Sequence, residues 1–276
     1  MIGIFDSGVG GLSVFREIRK LLPQERYIYF SDNAHCPYGE KSREYIIDRA
    51  RQITDFMLKE GADIIVVACN TATAAAISTI RSEYSTPNDH VRRLTSGRHE
   101  SVSFIGMEPA VKPAAALTRT GVVGVLATAG TLKADKYRDT KGRHAEDVQV
   151  VEHIGQGFVE LVESGQTTGQ KAESIVMESL EPLLDAGADT IVLGCTHYPF
   201  LSETISKVAS CLVPDRPTTI IDPAPAVAKH LHKVMQEQNI IKREGFALTL
   251  HASGDDSVLK QMAEALLYEG LPPESL

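Results

Sequence analysis

The sequence contains one short pattern twice. Residues 61–71 read GADIIVVACNT, and residues 187–197 read GADTIVLGCTH. In both, a run of aliphatic residues is typical of a strand that is buried in a parallel sheet. Each run ends at a cysteine, Cys69 or Cys195, and polar residues follow. Because open α/β sheets place their ligand sites at the carboxyl ends of strands, we expect both thiols to lie at such an edge.

Strand and helix patterns alternate along the rest of the chain. Strands are predicted at residues 1–5, 27–30, 64–67, 102–106, 121–127, 149–153, 190–193, 218–221 and 246–251. Stretches with helical periodicity lie between them; in the first, Leu12, Phe15 and Ile18 share one face. Regular alternation of this kind predicts an α/β fold of parallel sheets with helices on both faces.

The repeat also predicts how the chain is divided. Residues 4–7 (IFDS) align with residues 125–128 (VLAT), so the first strand has its own echo. Two pseudo-symmetric α/β domains are therefore expected, with the active site in the cleft between them. We expect the first domain to comprise residues 1–101 plus 212–276, and the second to comprise residues 102–211.

Charge and hydropathy disfavour several classes of partner. The formal net charge of -8 argues against nucleic acid and against an anionic membrane surface. No apolar run approaches the ~20 residues of a membrane span. The N-terminus lacks the basic region of a signal peptide, so we expect a cytoplasmic protein. The polar segment 85–101 is interpreted as a mobile surface loop; the alternative, a nucleic-acid patch, is disfavoured because no aromatic residue is interleaved.

The four cysteines are widely spaced, at Cys36, Cys69, Cys195 and Cys211. In a reducing compartment they are expected to be thiols, and no CxxC pair indicates a zinc or redox motif. We expect Cys211 to be a small buried hydrophobic residue.

A glycine-rich turn, DSGVGG at residues 6–11, follows the first strand. It contains G-x-G, but Ser13 occupies the third glycine position of a dinucleotide fingerprint, and a carboxylate at Asp6 would repel pyrophosphate. Two interpretations stay open. The turn is either purely structural, with Asp6 or Ser7 capping the helix, or it presents an acid, a hydroxyl and backbone N–H groups to the cleft.

Two thiols on opposite walls of one cleft suit racemisation. One thiolate removes a proton from a stereocentre, and the opposite thiol delivers a proton to the other face, without a cofactor. A hydrolase that uses one cysteine with His197 would need no second cysteine. Zinc bound by Cys69, Cys195 and His197 fits no common ligand spacing. A two-lobed amino-acid-binding protein is a further alternative, and it too would not need paired cysteines.

Four separated motifs point to a known family. They are IGIFDSGVGGLSV at residues 2–14, PYGEKS at 37–42, VVACNTATA at 66–74 and VLGCTHYP at 192–199. In these motifs the chain resembles the glutamate racemases of the aspartate/glutamate racemase superfamily, over nearly its whole length. Aspartate racemases share the cysteine pair but usually lack the FDSGVGG opening, so the resemblance favours glutamate.

The resemblance implies a reaction and a set of roles. The reaction is the interconversion of L- and D-glutamate without cofactor or metal, and D-glutamate would supply peptidoglycan synthesis. Cys69 would take the proton from the D-enantiomer and Cys195 from the L-enantiomer. Asp6 would support Cys69, and His197 would support Cys195. The assembly that we predict, and that needs a test, is a homodimer.

The resemblance also implies which residues hold the substrate. The expected residues are Asp6, Ser7, Tyr38, Gly39, Asn70, Thr71, Thr196 and His197, with a contribution from Thr128, the echo of Ser7. Glu163 matches an acidic position of the family, but the residues before it differ from the usual pattern. Glu163 is therefore either a support for catalysis or a helix-surface residue.

Overall fold

The computed structural model describes residues 1–144 and 148–268. Parts of the expected domains, residues 145–147 and 269–276, lie outside these ranges. The strands are β1 (Ile2–Asp6), β2 (Arg26–Ser31), β3 (Ile64–Val67), β4 (Ser103–Gly106), β5 (Val122–Ala127), β6 (Gln149–Ile154), β7 (Thr190–Gly194), β8 (Thr219–Ile221) and β9 (Ala247–Ala252).

Helices separate the strands. They are α1 (Leu12–Leu21), α2 (Arg43–Lys59), α3 (Asn70–Tyr84), α4 (Asp89–Leu94), α5 (Val111–Leu117), α6 (Ala129–Lys133), α7 (Asp135–His144), α8 (Phe158–Glu163), α9 (Gln170–Asp185), α10 (Ser202–Leu212), α11 (Ala224–Glu237) and α12 (Ser257–Tyr268). Short 3₁₀ helices lie at Asn33–His35, Tyr38–Glu40 and Tyr198–Leu201. No helix within the described ranges is both long enough and apolar enough to cross a membrane.

The strands form two parallel sheets. The first has the order β4-β3-β1-β2-β9, and the second has the order β6-β5-β7-β8. Every pairing in both sheets is parallel. The expected α/β fold is therefore confirmed. The repeated segments occupy corresponding places, because β3 and β7 each pair directly with the strand that bears the echo, β1 and β5.

The division at residues 101 and 211 stays a prediction, and the strand pairing differs from it at two points. β4 pairs with β3, although residues 102–211 were expected in the second domain. β8 pairs with β7, although the chain was expected to have returned to the first domain by residue 212. We propose that the crossings lie between β4 and β5 and between β8 and β9. Strand patterns locate strands, but they do not tell which neighbour a strand joins.

The repeated strands are buried because helices cover both faces of each sheet. All four residues of β3 and all five of β7 are buried. One hydrophobic cluster includes side chains of both halves, among them Phe15 of α1, Leu126 of β5 and Leu231 of α11. The two halves therefore share apolar packing as well as the cleft.

The interpretation of residues 85–101 as a mobile loop is wrong. The segment contains α4, whose first turn is capped by Asn88: its side chain accepts a hydrogen bond from the backbone N–H of Val91 at 2.9 Å. After α4, Arg98 and His99 both contact Oδ1 of Asp63, at 3.1 and 2.7 Å. The polar composition of residues 85–101 did not predict this structure, because the carboxylate that the segment contacts, Asp63, is distant in sequence.

The expectation for Cys211 is also wrong. Its side chain is exposed in the last turn of α10.

Candidate active site

The glycine-rich turn after β1 presents Asp6 to the second half of the molecule. The carboxylate of Asp6 is fully buried, and its Oδ2 accepts a hydrogen bond from the N–H of Gly11 at 2.7 Å. The hydroxyl of Thr196, which follows β7, donates to the same oxygen at 3.3 Å. Asp6 therefore stabilises the turn and also contacts the opposite half, but the expected capping of the helix by Asp6 or Ser7 is wrong, because α1 begins after Gly11 without a side-chain cap.

Cys69 lies where β3 ends and α3 begins. It is 4% exposed, and its Sγ accepts a hydrogen bond from the N–H of Ala72 at 3.4 Å. The thiol lies 3.8 Å from the hydroxyl oxygen of Ser7. Burial raises the pKa of the Cys69 thiol, and the negative charge of Asp6 raises it further. Burial also raises the pKa of Asp6. A thiolate formed here would therefore be a strong base, and a buried carboxyl is beside it to share the proton.

Cys195 begins a chain of acid–base groups in the second half. It is 7% exposed, and its Sγ lies 3.7 Å from Nδ1 of His197. The other ring nitrogen, Nε2, lies 2.6 Å from Oε1 of Glu163. Although burial opposes the charged ring, contacts with Cys195 and Glu163 raise the pKa of His197 well above its usual value. The contacts with the Cys195 sulfur and the Glu163 carboxylate therefore favour the protonated form of the ring.

Glu163 contacts the first half of the molecule as well as His197. Its Oε1 also accepts a hydrogen bond from the backbone N–H of Val9 at 2.8 Å. Burial would raise the pKa of Glu163, but the hydrogen bond and charge of His197 lower it overall. Of the two interpretations of Glu163, the geometry favours the supporting one. The sequence signal was present in the matched acidic position.

The glycines of the turn make room for this pair. A Cβ atom at Gly8 would lie 2.8 Å from Cδ of Glu163, and one at Gly10 would lie 2.7 Å from Cγ of His197. Real Cβ atoms are not found this close to other atoms. The turn therefore needs glycine because the second half packs against its backbone.

A second polar contact between the halves involves Thr71 and Thr128. Their hydroxyl oxygens lie 2.9 Å apart. A Cβ atom at Gly39 would lie 3.2 Å from Cβ of Thr128, so this contact is also close. Tyr38 is nearly fully buried, and its hydroxyl donates to Asp32. The hydroxyl of Tyr38 is thus used within the first half, and sequence reasoning did not reveal its partner.

Several buried polar atoms beside the cysteines have no partner within the protein. They include Oδ1 of Asp6 and both the Oδ1 and Nδ2 atoms of Asn70. Leaving such groups unpaired costs about 1–3 kcal/mol each. Unpaired polar atoms at the carboxyl ends of strands indicate a place where a polar ligand binds.

The two thiols are near enough to influence each other. A charge on Cys195 raises the pKa of Cys69, although burial is the larger cause of that rise. A cavity of ≈ 610 Å³ is lined in part by Gly39, Gly130 and Thr71, which is two residues after Cys69. The arrangement places two thiols, each with its own acid–base partner, beside a set of unpaired polar atoms. Such a site can remove a proton on one face of a small polar molecule and supply one on the other.

Comparison with known proteins agrees with this geometry. The family model for Asp/Glu/Hydantoin racemases matches residues 2–231. A glutamate racemase from Ectopseudomonas mendocina is 44% identical over 269 residues, covering 97% of this chain and 95% of that protein. One from Methylococcus capsulatus is 48% identical over 242 residues, covering 88% and 82%. The crystal structure of a glutamate racemase isoform from Bacillus anthracis superposes with a TM-score of 0.80 at 29% identity, covering 97% and 93%. The chain belongs to the Asp/Glu/Hydantoin racemase family.

Proposed function

We propose that this protein interconverts L- and D-glutamate by proton transfer between Cα and two cysteine thiols. The observation that carries the proposal is the equivalent placement of Cys69 and Cys195, each just after a buried internal strand of its own sheet. The relatives from Ectopseudomonas mendocina and Methylococcus capsulatus, named glutamate racemases, support glutamate as the substrate. The product D-glutamate would supply peptidoglycan synthesis.

In the direction from D- to L-glutamate, Cys69 acts as the base. Its thiolate takes the proton from Cα, and the electron pair of the C–H bond remains on the substrate as a carbanion. Cys195 then gives its thiol proton to the opposite face, which inverts the configuration. In the reverse direction the two thiols exchange roles. Because both protons are handled by side chains of the chain, this scheme uses no cofactor.

Asp6 and His197 serve the two thiols. Asp6 is buried, so its raised pKa favours sharing a proton with the Cys69 thiol. The imidazolium of His197, at 3.7 Å from Sγ of Cys195, stabilises the thiolate that forms when Cys195 loses its proton. Glu163 contacts His197 rather than the thiol, so we assign it as a positioning residue.

The substrate is held by hydroxyls, amides and backbone N–H groups. The unpaired Oδ1 of Asp6 is suited to accept from the α-ammonium group, and the Asn70 amide is suited to bind a carboxylate. We assign the remaining binding role to Ser7, Tyr38, Gly39, Thr71, Thr128, Thr196 and His197. Holding Cα next to a base inside a dry cleft lowers the barrier through proximity and exclusion of water.

Isotope exchange tests the proposal directly. L-glutamate incubated with the metal-free protein in D₂O should yield D-glutamate that carries deuterium at Cα. Cys69→Ala and Cys195→Ala should each abolish this conversion, whereas Cys211→Ala should not, because Cys211 is exposed on α10. A hydrolase or a binding protein would give no deuterated D-glutamate. Conversion of aspartate but not glutamate would move the protein to a different substrate within the same family.

Two further proposals concern the protein in the cell. The free thiols at Cys69 and Cys195 support a reducing compartment, and we propose the cytoplasm. A homodimer stays a prediction, and light scattering coupled to gel filtration tests it. A mass of one chain at working concentration would contradict the dimer.

A further inference from the structure

A third cysteine lies beside the acid–base pair of the second half. One ligand atom each of Cys36, Glu163 and His197 lies within 4.8 Å of the other two. Within residues 1–144 and 148–268, these three form the group of His, Cys, Asp or Glu side chains whose ligand atoms lie close enough together to hold a metal ion. The racemase scheme uses Glu163 and His197 but has no task for Cys36. The structure therefore places a thiol that the reaction does not use beside two side chains that it does use.

We propose that Cys36, Glu163 and His197 bind Zn²⁺, and that the bound metal inhibits the enzyme. The inhibitory half of this inference rests on the proposed racemase function, whereas the binding half does not. The racemase reaction itself remains free of metal in this scheme.

The donor set matches zinc. A thiolate, an imidazole and a carboxylate are the three ligand types that Zn²⁺ takes, at about 2.0–2.3 Å, and three protein ligands leave a fourth position for water. Neighbouring ligands of a tetrahedral zinc are then about 3.5 Å apart. Drawing the three atoms together from at most 4.8 Å needs shifts of roughly 1 Å. Mg²⁺ and Ca²⁺ prefer sites made of oxygen alone, so they should not compete.

Cys36 is held in place by its neighbours in sequence. The Asp32 carboxylate, four residues before it, accepts hydrogen bonds from Tyr38 and from Nε of Arg49, the latter at 2.9 Å. Cys36 donates its own backbone N–H to the carbonyl of Asn33 at 3.3 Å. The thiol is therefore presented by a braced loop, which reduces the entropy lost when a metal binds.

A metal ion has access to this cluster. Cys36 is half-buried, and the Glu163 side chain is 23% exposed, so two of the three ligands lie at the border with solvent. Pro37, next to Cys36, and Glu160, one helical turn before Glu163, line the same surface cavity. The third ligand, His197, is buried behind them.

Inhibition follows from what the metal would displace. Nε2 of His197 now lies 2.6 Å from Oε1 of Glu163. A zinc ion between them would replace this hydrogen bond and occupy Nε2, after the imidazolium and the Cys36 thiol have each released a proton to solvent. The ring could then no longer support proton transfer at Cys195 in the same way. Zinc binding and racemisation should therefore exclude each other.

Zinc titration of chelator-treated full-length protein tests the binding half without any substrate. The protein is kept reduced with a phosphine, and competition with a chromogenic zinc indicator gives the stoichiometry and affinity. We expect one Zn²⁺ per chain. Cys36→Ala should weaken zinc binding at least about tenfold, because losing even a residue that only hydrogen-bonds to a metal ligand lowers metal affinity by about 10- to 100-fold. Cys211→Ala, the control for a general loss of thiol, should bind zinc as the parent does.

Racemisation under the same conditions tests the inhibitory half. For the parent and Cys211→Ala, the zinc concentration that halves the activity should equal the concentration that half-saturates the binding site. Cys36→Ala should keep its activity at that zinc concentration. Magnesium at the same concentration should have no effect. Undiminished zinc binding by Cys36→Ala, or absence of stoichiometric binding, would overturn the proposal. If the zinc site depends on Cys36 but the chelator-treated protein racemises nothing, the proposed function fails while the metal site stands.

Discussion

A Cβ atom at Gly10 would lie 2.7 Å from both Cγ and Cε1 of His197. The backbone of the first half thus forms part of the wall against which the imidazole of the second half rests. Because His197 lies 3.7 Å from the Cys195 thiol, any displacement of the ring changes the surroundings of that thiol. Glycine at residue 10 is therefore a requirement of the assembled site and does not point to a nucleotide.

Gly10→Ala should reduce kcat strongly while the protein stays folded. The added methyl group must push the ring of His197 aside, and misplacing a catalytic group by ~1 Å costs roughly 10²-fold in rate. Gly142→Ala is the matched control, since a Cβ atom there would meet nothing within 4 Å. Steady-state kinetics and thermal melting of both variants check the prediction. Equal activity of the two variants would remove the steric explanation.

Glu163→Gln should lower kcat/KM in both directions by about 10- to 100-fold, less than the ~10²–10⁴-fold contribution of a general acid or base. The amide keeps the size of the side chain but removes the charge that pairs with His197. L- and D-glutamate have equal free energies in solution, so kcat/KM must fall equally in both directions. Glu160→Gln, on the same helix, should leave the rates unchanged.

The pH profile of kcat/KM separates this positioning role from simple structural damage. Loss of the carboxylate removes a cause that raises the pKa of His197. The limb of the profile that reports the imidazolium should therefore shift to lower pH in Glu163→Gln. A uniform loss of activity with an unchanged profile would contradict the role we assign to Glu163.

Asn70→Ala should lose activity without losing stability. Both polar atoms of the Asn70 amide are buried without a partner in the free protein, so removing them removes a desolvation penalty. A hydrogen bond to a charged substrate group is worth about 1.5–3 kcal/mol, which corresponds to a loss of roughly 10- to 100-fold in kcat/KM. Urea unfolding and steady-state kinetics measure the two effects.

Asn88→Ala should show the opposite behaviour. The side chain of Asn88 caps α4, a helix that carries none of the candidate site residues, and loss of such a cap costs about 0.5–2 kcal/mol. Stability should fall while kcat/KM stays unchanged. A destabilised Asn70→Ala variant would mean that the amide has a structural task.

Asp63 should make stability depend on pH. Burial opposes the ionisation of Asp63. Hydrogen bonds, including those from Lys242 and His99, outweigh the effect of burial and hold the pKa of Asp63 well below its usual range. A depressed folded-state pKa contributes stability that is fully present above the unfolded pKa of about 3.9, declines below that pH and is lost as the pH falls through the folded-state pKa. Asp63→Asn should therefore cost about 1.5–3 kcal/mol at pH 7, and the cost should be smaller at pH 3, where the loss of this stabilisation has begun but is not complete.

Urea unfolding of both proteins at pH 7 and pH 3 measures this difference. Asp48→Asn, which replaces a 69% exposed carboxylate, is the control and should change little at either pH. A difference between the parent and Asp63→Asn that is as large at pH 3 as at pH 7 would contradict the electrostatic explanation.

Local patterns were sufficient for the strands and for the two central cysteines. The predicted strand at residues 64–67 matches β3, and that at residues 190–193 differs from β7 by one residue. Buried parallel strands are continuous runs of aliphatic residues, and such runs are visible without knowledge of their neighbours. The matched motifs also named Asp6 and His197 as supporting groups, which remains a proposal for experiment.

Long-range contacts were not visible in the same way. The sequence left Glu163 undecided, and its distance of 2.6 Å from His197 joins residues of a helix and a strand end that are far apart in the chain. The residues next to Cys36 in the sequence did not predict its position beside Glu163 and His197 either. The same holds for α4, which the contacts of Arg98 and His99 with Asp63 fix in place.

By itself the sequence determined the class of fold, the repeated strand with its terminal cysteine, and the family, because these depend on patterns within about ten residues. Only the tertiary structure decided which groups surround each thiol, why Gly8 and Gly10 carry no side chain, and which sheet β4 and β8 join. The physical reason is that contacts across the cleft depend on how two separately patterned halves pack. A residue's local sequence does not contain the identity of the partner that packing brings to it.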